Sequence, residues 1–349
     1  MQTNVAICGQ LFGMRKHDDQ YNVAFASKLL DAVPADAKAA LQLYMHESRW
    51  NWSSACSGTD CPAFCYHAMK KAALDRGWDV HVEHHISAEL DPEKRRWIKE
   101  AVVPSPRVLL QDMFHAASDT PQMNDMTGRI AVVPLCQGCW FIGFSCKGAS
   151  GLNPQRDGQH LSKDNTTTGV TWRGVLAIAL RHKPRFFLLE NVLGVLAGDQ
   201  LPVMRKDLRS RGYALFYWKT SPIQHGFPQD RHRVWFLAVL LSDIESAGVD
   251  EATLEAEITR TVDALSHAKE CVGVDEILLP EHHPIVFARR REQIKMQQTC
   301  RSSAMSADME QTCGISKWVD IQERMYRKTW ATARGQSRWH AALAEKYPG

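Results

Sequence analysis

Trp52-Ser53-Ser54-Ala55-Cys56-Ser57-Gly58-Thr59-Asp60 reads as a short strand that runs into a glycine turn, and residues 61–75 behind it read as a helix. Ala63, Phe64, Ala68, Ala72 and Leu74 give that helix an apolar side, while Lys70, Lys71 and Asp75 are polar. The alternation continues outward. Residues 80–88 form a second strand ending at Glu89, and Asp91-Pro92 starts a helix, with Asp as cap and Pro at the first position. Residues 107–110 form a third strand, ending at Gln111-Asp112, and residues 139–143 a fourth, leading toward Cys146. Helices are expected at 170–182 and 200–211, and strands at 185–189, 213–219 and 233–239. Residues 113–128 read as irregular and 151–168 as a long loop rich in Gly, Asn, Asp and Thr. Such alternation predicts an α/β fold with a mainly parallel sheet. Ligands of these sheets sit at the carboxyl ends of strands. Gly58, Glu89, Asp112, Cys146 and Glu190 all fall at such ends.

The 349 residues are 44% hydrophobic and 23% charged, ordinary for a globular chain. No run approaches eighteen apolar residues, so no membrane span is expected, and Met1 to Met14 lacks a signal-peptide pattern. Ten scattered cysteines do not form a disulfide framework. A reducing compartment is expected, the nucleus in a eukaryote and the cytoplasm otherwise. Charge is unevenly spread. Residues 241–288 hold two Lys or Arg against eleven Asp or Glu, and residues 289–349 hold twelve against six. A basic tail behind an acidic stretch suits a nucleic-acid partner or a solvated helical surface. After Leu240 the periodicity weakens, with a helix expected at 251–269, a strand at 285–287 and helices within 318–345. The chain divides into an N-terminal extension (1–49), a catalytic domain (50–240) and a C-terminal region (241–349) read as a reduced target-recognition or partner-binding part.

Ser57-Gly58-Thr59-Asp60 follows a strand and opens a helix, where glycine lets a ligand approach the backbone. Glu89 at the next strand end can accept from a ribose diol, and Asp112 at the third can receive an adenine amino group. The plainer reading is that both carboxylates cap neighbouring helices. Neither G-x-G-x-x-G nor G-x-x-x-x-G-K-[S/T] is present, so a nucleoside cofactor without a pyrophosphate fits best. S-adenosylmethionine is such a molecule. Cys136-Gln137-Gly138-Cys139 has the spacing of a metal knuckle but no second knuckle to pair with, and no metal is expected.

Three further signals follow in order: Gly143-Phe144-Ser145-Cys146-Lys147-Gly148, Phe186-Phe187-Leu188-Leu189-Glu190-Asn191-Val192 and Phe227-Pro228-Gln229-Asp230-Arg231-His232-Arg233. A thiol, a carboxylate and an arginine pair are the parts needed to activate a cytosine ring. Their order and spacing resemble the C5-cytosine methyltransferase family over about residues 50–240. Ser57-Gly58 resembles that family's first cofactor motif and Glu89-Leu90-Asp91 its second. The resemblance implies an S-adenosylmethionine-dependent, Rossmann-like sheet with a small, divergent C-terminal region. It implies Cys146 as nucleophile, Glu190 at cytosine N3 and Arg231 at the O2 edge, with Gln229 and Arg233 as braces. The cofactor would lie against Ser57, Gly58, Thr59, Asp60, Glu89, Leu90 and Asp112. Asn191 would hold the Glu190 loop, and Lys147, Ser150, Arg156 and Lys163 would close over the nucleic-acid backbone. DNA is the favoured substrate, with RNA (tRNA) open. A rival reading is a weak or inactive member that supports a partner protein.

Four departures stand out. Ser145 replaces the proline usual before the nucleophile, which would leave the loop freer. Asp60-Cys61 replaces paired glycines, so that Asp60 would either crowd the cofactor or touch its amino group. Gly138-Cys139 stands where an aspartate is usual, and no final Asn-Ser-Val-like motif is found.

Overall fold

A computed structural model describes residues 15–33, 35–47, 50–151, 161–162, 166–225 and 229–266. The expected strand at 285–287, the helices within 318–345 and the loop residues Arg156 and Lys163 lie outside them. The chain begins with helices α1 (Arg15–Ala32) and α2 (Ala35–Glu47). Next come β1 (Trp50–Ala55), α3 (Cys61–Leu74), β2 (Val82–Ala88), α4 (Pro92–Ala101) and β3 (Val108–Leu110). A short helix α5 (Met113–Ala116) and a hairpin of β4 (Gln122–Asn124) and β5 (Arg129–Ala131) precede β6 (Cys139–Ile142). The order then runs α6 (Thr167–His182), β7 (Phe186–Asn191), α7 (Gln200–Arg209), β8 (Tyr213–Thr220), β9 (Arg233–Leu240), α8 (Leu241–Ser246) and α9 (Glu251–Leu265).

Seven strands form one sheet in the order β3-β2-β1-β6-β7-β9-β8. The first five are mutually parallel, and β9 runs antiparallel between β7 and β8. The chain winds outward from β1 to β3, then returns to place β6 on the other side of β1. The crevice between β1 and β6 is therefore the switch point at which such sheets bind ligands.

Side-chain alternation covers both faces. Trp140 and Ile142, Phe187 and Leu189, and Tyr213 and Leu215 join a core with Met113 of α5, Trp172 and Val175 of α6, and Met204 and Leu208 of α7. The intervening Cys139 and Phe141 turn to the opposite face, against Ala63 and Tyr66 of α3 and Ile98 of α4. On that α3–α4 side, Ala26 and Leu30 of α1 and Met45 of α2 pack against Ala68 and Ala72 of α3. Ile244, Leu254 and Ile258 pack on Ala214 and Phe216 of β8. Residues 241–265 thus share an apolar cluster with β8.

Two segments are more ordered than their composition suggests. The stretch 113–128 holds α5 and the hairpin rather than irregular chain. The buried Asn124 side chain organises it, accepting from the amides of Leu109 and Met126 and donating to the Arg107 carbonyl. Helix α6 starts three residues earlier than expected because Thr166 caps it, accepting from Gly169 N–H at 3.0 Å.

Candidate active site

At the end of β1 the chain turns sharply, with Cys56, Gly58 and Asp60 all in left-handed backbone (φ 50°, 59° and 57°). Only Gly58 does so without a steric cost, and a Cβ placed on it would meet nothing within 4 Å. Its N–H donates to Glu89 Oε2 at 2.6 Å, while Glu89 Oε1 accepts from Asp91 N–H at 3.0 Å. Glu89 therefore ties the end of β2 to the β1 turn. Each of its oxygens retains a further lone pair. Leu90 beside it is 73% exposed. Ser57 is spent on the protein itself, its hydroxyl donating to the Ala88 carbonyl at 3.1 Å. Thr59 is exposed, its hydroxyl 3.4 Å from the Cys61 thiol.

Asp112 caps α5, accepting from Phe114 N–H at 2.7 Å, the plainer of its two expected roles. The Cys56 thiol is pushed up to about 12 by burial first, then by the negative charges of Glu89 and Asp112 together.

Asp60 departs from both expectations. Its side chain is fully buried, receives the Ser87 hydroxyl and lies 3.4 Å from His84 Nε2. It points inward, so it neither crowds a cofactor nor reaches its amino group. Burial raises the carboxyl to about 6, with the Glu89 charge adding to the rise and the Ser87 and Ser54 hydroxyls opposing it. Burial lowers His84 to about 4.

The cysteine loop follows β6 and is held at several points. Asn191, buried at the end of β7, donates to the Phe144 carbonyl at 2.9 Å and accepts from Val192 N–H. Thr171 of α6 accepts from Ser145 N–H at 3.0 Å, and Thr168 accepts from Gly148 N–H at 2.9 Å. The Cys146 carbonyl accepts from the amides of Ala149 and Ser150. Gly194 lies so close that a Cβ on it would fall 1.9 Å from the Ala149 carbonyl oxygen. Ser145, before Cys146, does not free this loop. Its N–H makes a bond that proline could not. Cys146 itself is half-buried.

Glu190 sits one strand away. Its Oε1 receives Arg233 Nε at 2.9 Å, across the β7–β9 pairing. Its Oε2 faces the cysteine loop, 3.6 Å from where a Cβ on Gly143 would stand. Arg231 and Gln229 are exposed on the approach to β9. The Arg231 amide donates to Ser221 Oγ, and the Gln229 carbonyl accepts from Ile223 N–H. The sequence reading had not found Thr168, Thr171 or Gly194, because a run of threonines and an isolated glycine carry no signal beyond that of a loop.

A seven-strand sheet with a glycine turn at its switch point and a braced cysteine one strand away defines a Rossmann-like α/β fold. Residues 143–341 match the C-5 cytosine-specific DNA methylase family model, more than half of the chain, and the chain belongs to that family. The match continues well past residue 240, where the sequence resemblance was expected to end. The chain is 28% identical over 170 residues to the DNA (cytosine-5-)-methyltransferase DMT5 of Cryptococcus neoformans, covering 48% of this chain and 7% of that protein. It is 34% identical over 95 residues to the type II methyltransferase M.BsuFI of Bacillus subtilis, covering 26% and 22%. The matched stretches thus span a minor part of these curated relatives. Among solved structures, the S. pombe Dnmt2 methyltransferase aligns with a TM-score of 0.34 and 18% identity, over 55% of this chain and 49% of that one.

Proposed function

We propose that the chain methylates cytosine at C5 in nucleic acid, with DNA as the favoured polymer, through a covalent adduct of Cys146 at cytosine C6. The observation that carries this reading is the joint bracing of the thiol and the carboxylate. Asn191 fixes the cysteine loop while the adjacent Glu190, held by Arg233, turns Oε2 toward that loop. The name of the Cryptococcus relative and the description of the family support DNA over RNA.

S-adenosylmethionine suits the β1–β6 crevice. The space above Gly58 is open, Glu89 has acceptor capacity for a diol, Leu90 offers an exposed apolar side chain, and Asp112 stands at the end of β3. When bound, this cofactor supplies the electrophilic methyl group. The rest falls to the chain's own residues. A flipped-out base enters beside Cys146. The thiolate forms a bond to C6, and Glu190 holds a proton at N3 against the electron density pushed into the ring. Arg231 orients the O2 edge. Once C5 is methylated, a water molecule takes the C5 proton, the C5–H electron pair restores the C5–C6 double bond, and the C6–S bond breaks to return the thiolate.

The test is transfer of tritiated methyl groups to mixed genomic DNA and total RNA, beside Cys146→Ala. Label in DNA that vanishes in the variant supports the reading. Label in RNA alone would replace the substrate. No label, with cofactor binding intact, would favour a member that works through a partner enzyme.

A further inference from the structure

Far from the crevice, His46, Asp79 and His81 bring three ligand atoms within 4.8 Å of one another. His46 Nδ1 lies 3.3 Å from Asp79 Oδ2, and His81 Nε2 lies 3.5 Å from the same oxygen. Both distances are long for charge-assisted hydrogen bonds, which fall near 2.7–2.9 Å. They match the edge of a tetrahedron with metal–ligand arms of about 2.0–2.1 Å, roughly 3.3–3.4 Å. We propose that these three side chains form a binding site for a divalent transition metal of the zinc class, which clips α2 to the approach to β2.

The backbone supports this geometry. Asp79 and His81 alternate with Val80, which is buried, so the two ligands share the outward side of an extended segment. His46 follows the buried Met45 in the last turn of α2. Met45 and Val80 belong to one apolar cluster, and His81 N–H donates to the Met45 carbonyl at 3.4 Å. Both ligand-bearing segments are thus anchored by packing, while the three side chains stay exposed. Two imidazoles and one carboxylate suit zinc or a neighbouring first-row ion, and a fourth position is left for water. His81 precedes β2, so the site lies at the amino edge of the parallel strands, opposite Glu89 and the cysteine loop. Its metal would join the N-terminal helices to the sheet and take no part in methyl transfer.

The test is calorimetric titration of the full chain with zinc sulfate, together with its thermal unfolding. One equivalent should bind and raise the midpoint, and His46→Ala and His81→Ala should each remove both effects. Loss of an outer-shell partner alone costs about 10–100-fold in zinc affinity, so loss of a ligand should cost at least about 100-fold. Metal-free variants should unfold at the parent temperature, since both histidines are exposed. Among the described residues, Cys61 and Cys65, one turn apart on α3 and both exposed, are competing ligands. Binding that survives either histidine change but is lost in Cys61→Ser/Cys65→Ser would overturn the proposal. So would no binding by the parent chain.

Discussion

The two ends of the crevice are built differently. At the β1–β2 end, the side chains are largely engaged by the backbone and by the neighbouring strand. Glu89 holds the Gly58 and Asp91 amides, Ser57 holds Ala88, and Asp60 is sealed against Ser87 and His84. At the β6–β7 end, Cys146 and Glu190 are half-buried, and their positions come from neighbours that do no chemistry: Asn191, Thr168, Thr171 and Arg233. One end is a turn tied down through Glu89, which keeps residual acceptor capacity. The other is a loop pinned by its neighbours, beside which Cys146 and Glu190 stay half-buried.

Substitutions can break this contrast, and their effects should fall in a definite order. Glu190→Gln should cause the largest loss, about 10²–10⁴-fold in single-turnover methyl transfer, because it removes an acid from the reacting ring. DNA affinity should change little, and an unchanged rate would remove Glu190 from the chemistry. Glu89→Ala should weaken cofactor binding by about 1–3 kcal/mol, the range for hydrogen bonds to charged groups. Calorimetry should register that loss, and equal affinity would mean that Glu89 only ties strands.

Asp60→Asn should stabilise the fold by about 1–3 kcal/mol at pH 7.5. The Asp60 carboxyl is raised from 3.8 to about 6 by burial, so its contribution is favourable below about pH 4 and is lost as the pH rises through 6. Asparagine removes the cost of the buried charge, and the gain should shrink to near zero by pH 4. His84 acts in the opposite sense, losing stability as the pH falls from 6.5 through about 4, but it does so in both proteins and largely cancels. Urea unfolding at the two pH values measures the difference, and a pH-independent gain would contradict the assignment. Ser145→Pro should have the smallest effect, about 0.5–1.5 kcal/mol of stability, through loss of the bond to Thr171. Thr171→Val should match it, and a faster enzyme with proline would show that the serine loop is misplaced.

Much of this was legible in the sequence. The strand–turn–helix unit at 52–75, the Asp91-Pro92 helix start and the apolar strand before Glu190 are local patterns, and their periodicity and turn residues gave their type and order along the chain. The antiparallel β9 inserted beside β7 was not legible, because strand order depends on pairings distant in sequence. Asp60 was misread for a related reason. Its neighbours in sequence place it at a ligand turn, but its partners His84 and Ser87 come from the adjacent strand. The threonines of α6 and the His46–Asp79–His81 cluster share that cause, since each is assembled by packing between distant segments.

The central claim is that Cys146 attacks the cytosine ring. DNA carrying C5-fluorinated cytosine, incubated with the chain and S-adenosylmethionine, should yield a covalent complex that mass spectrometry maps to Cys146, and none with Cys146→Ala. A complex that persists in the variant, or none at all while DNA and cofactor both bind, would contradict it.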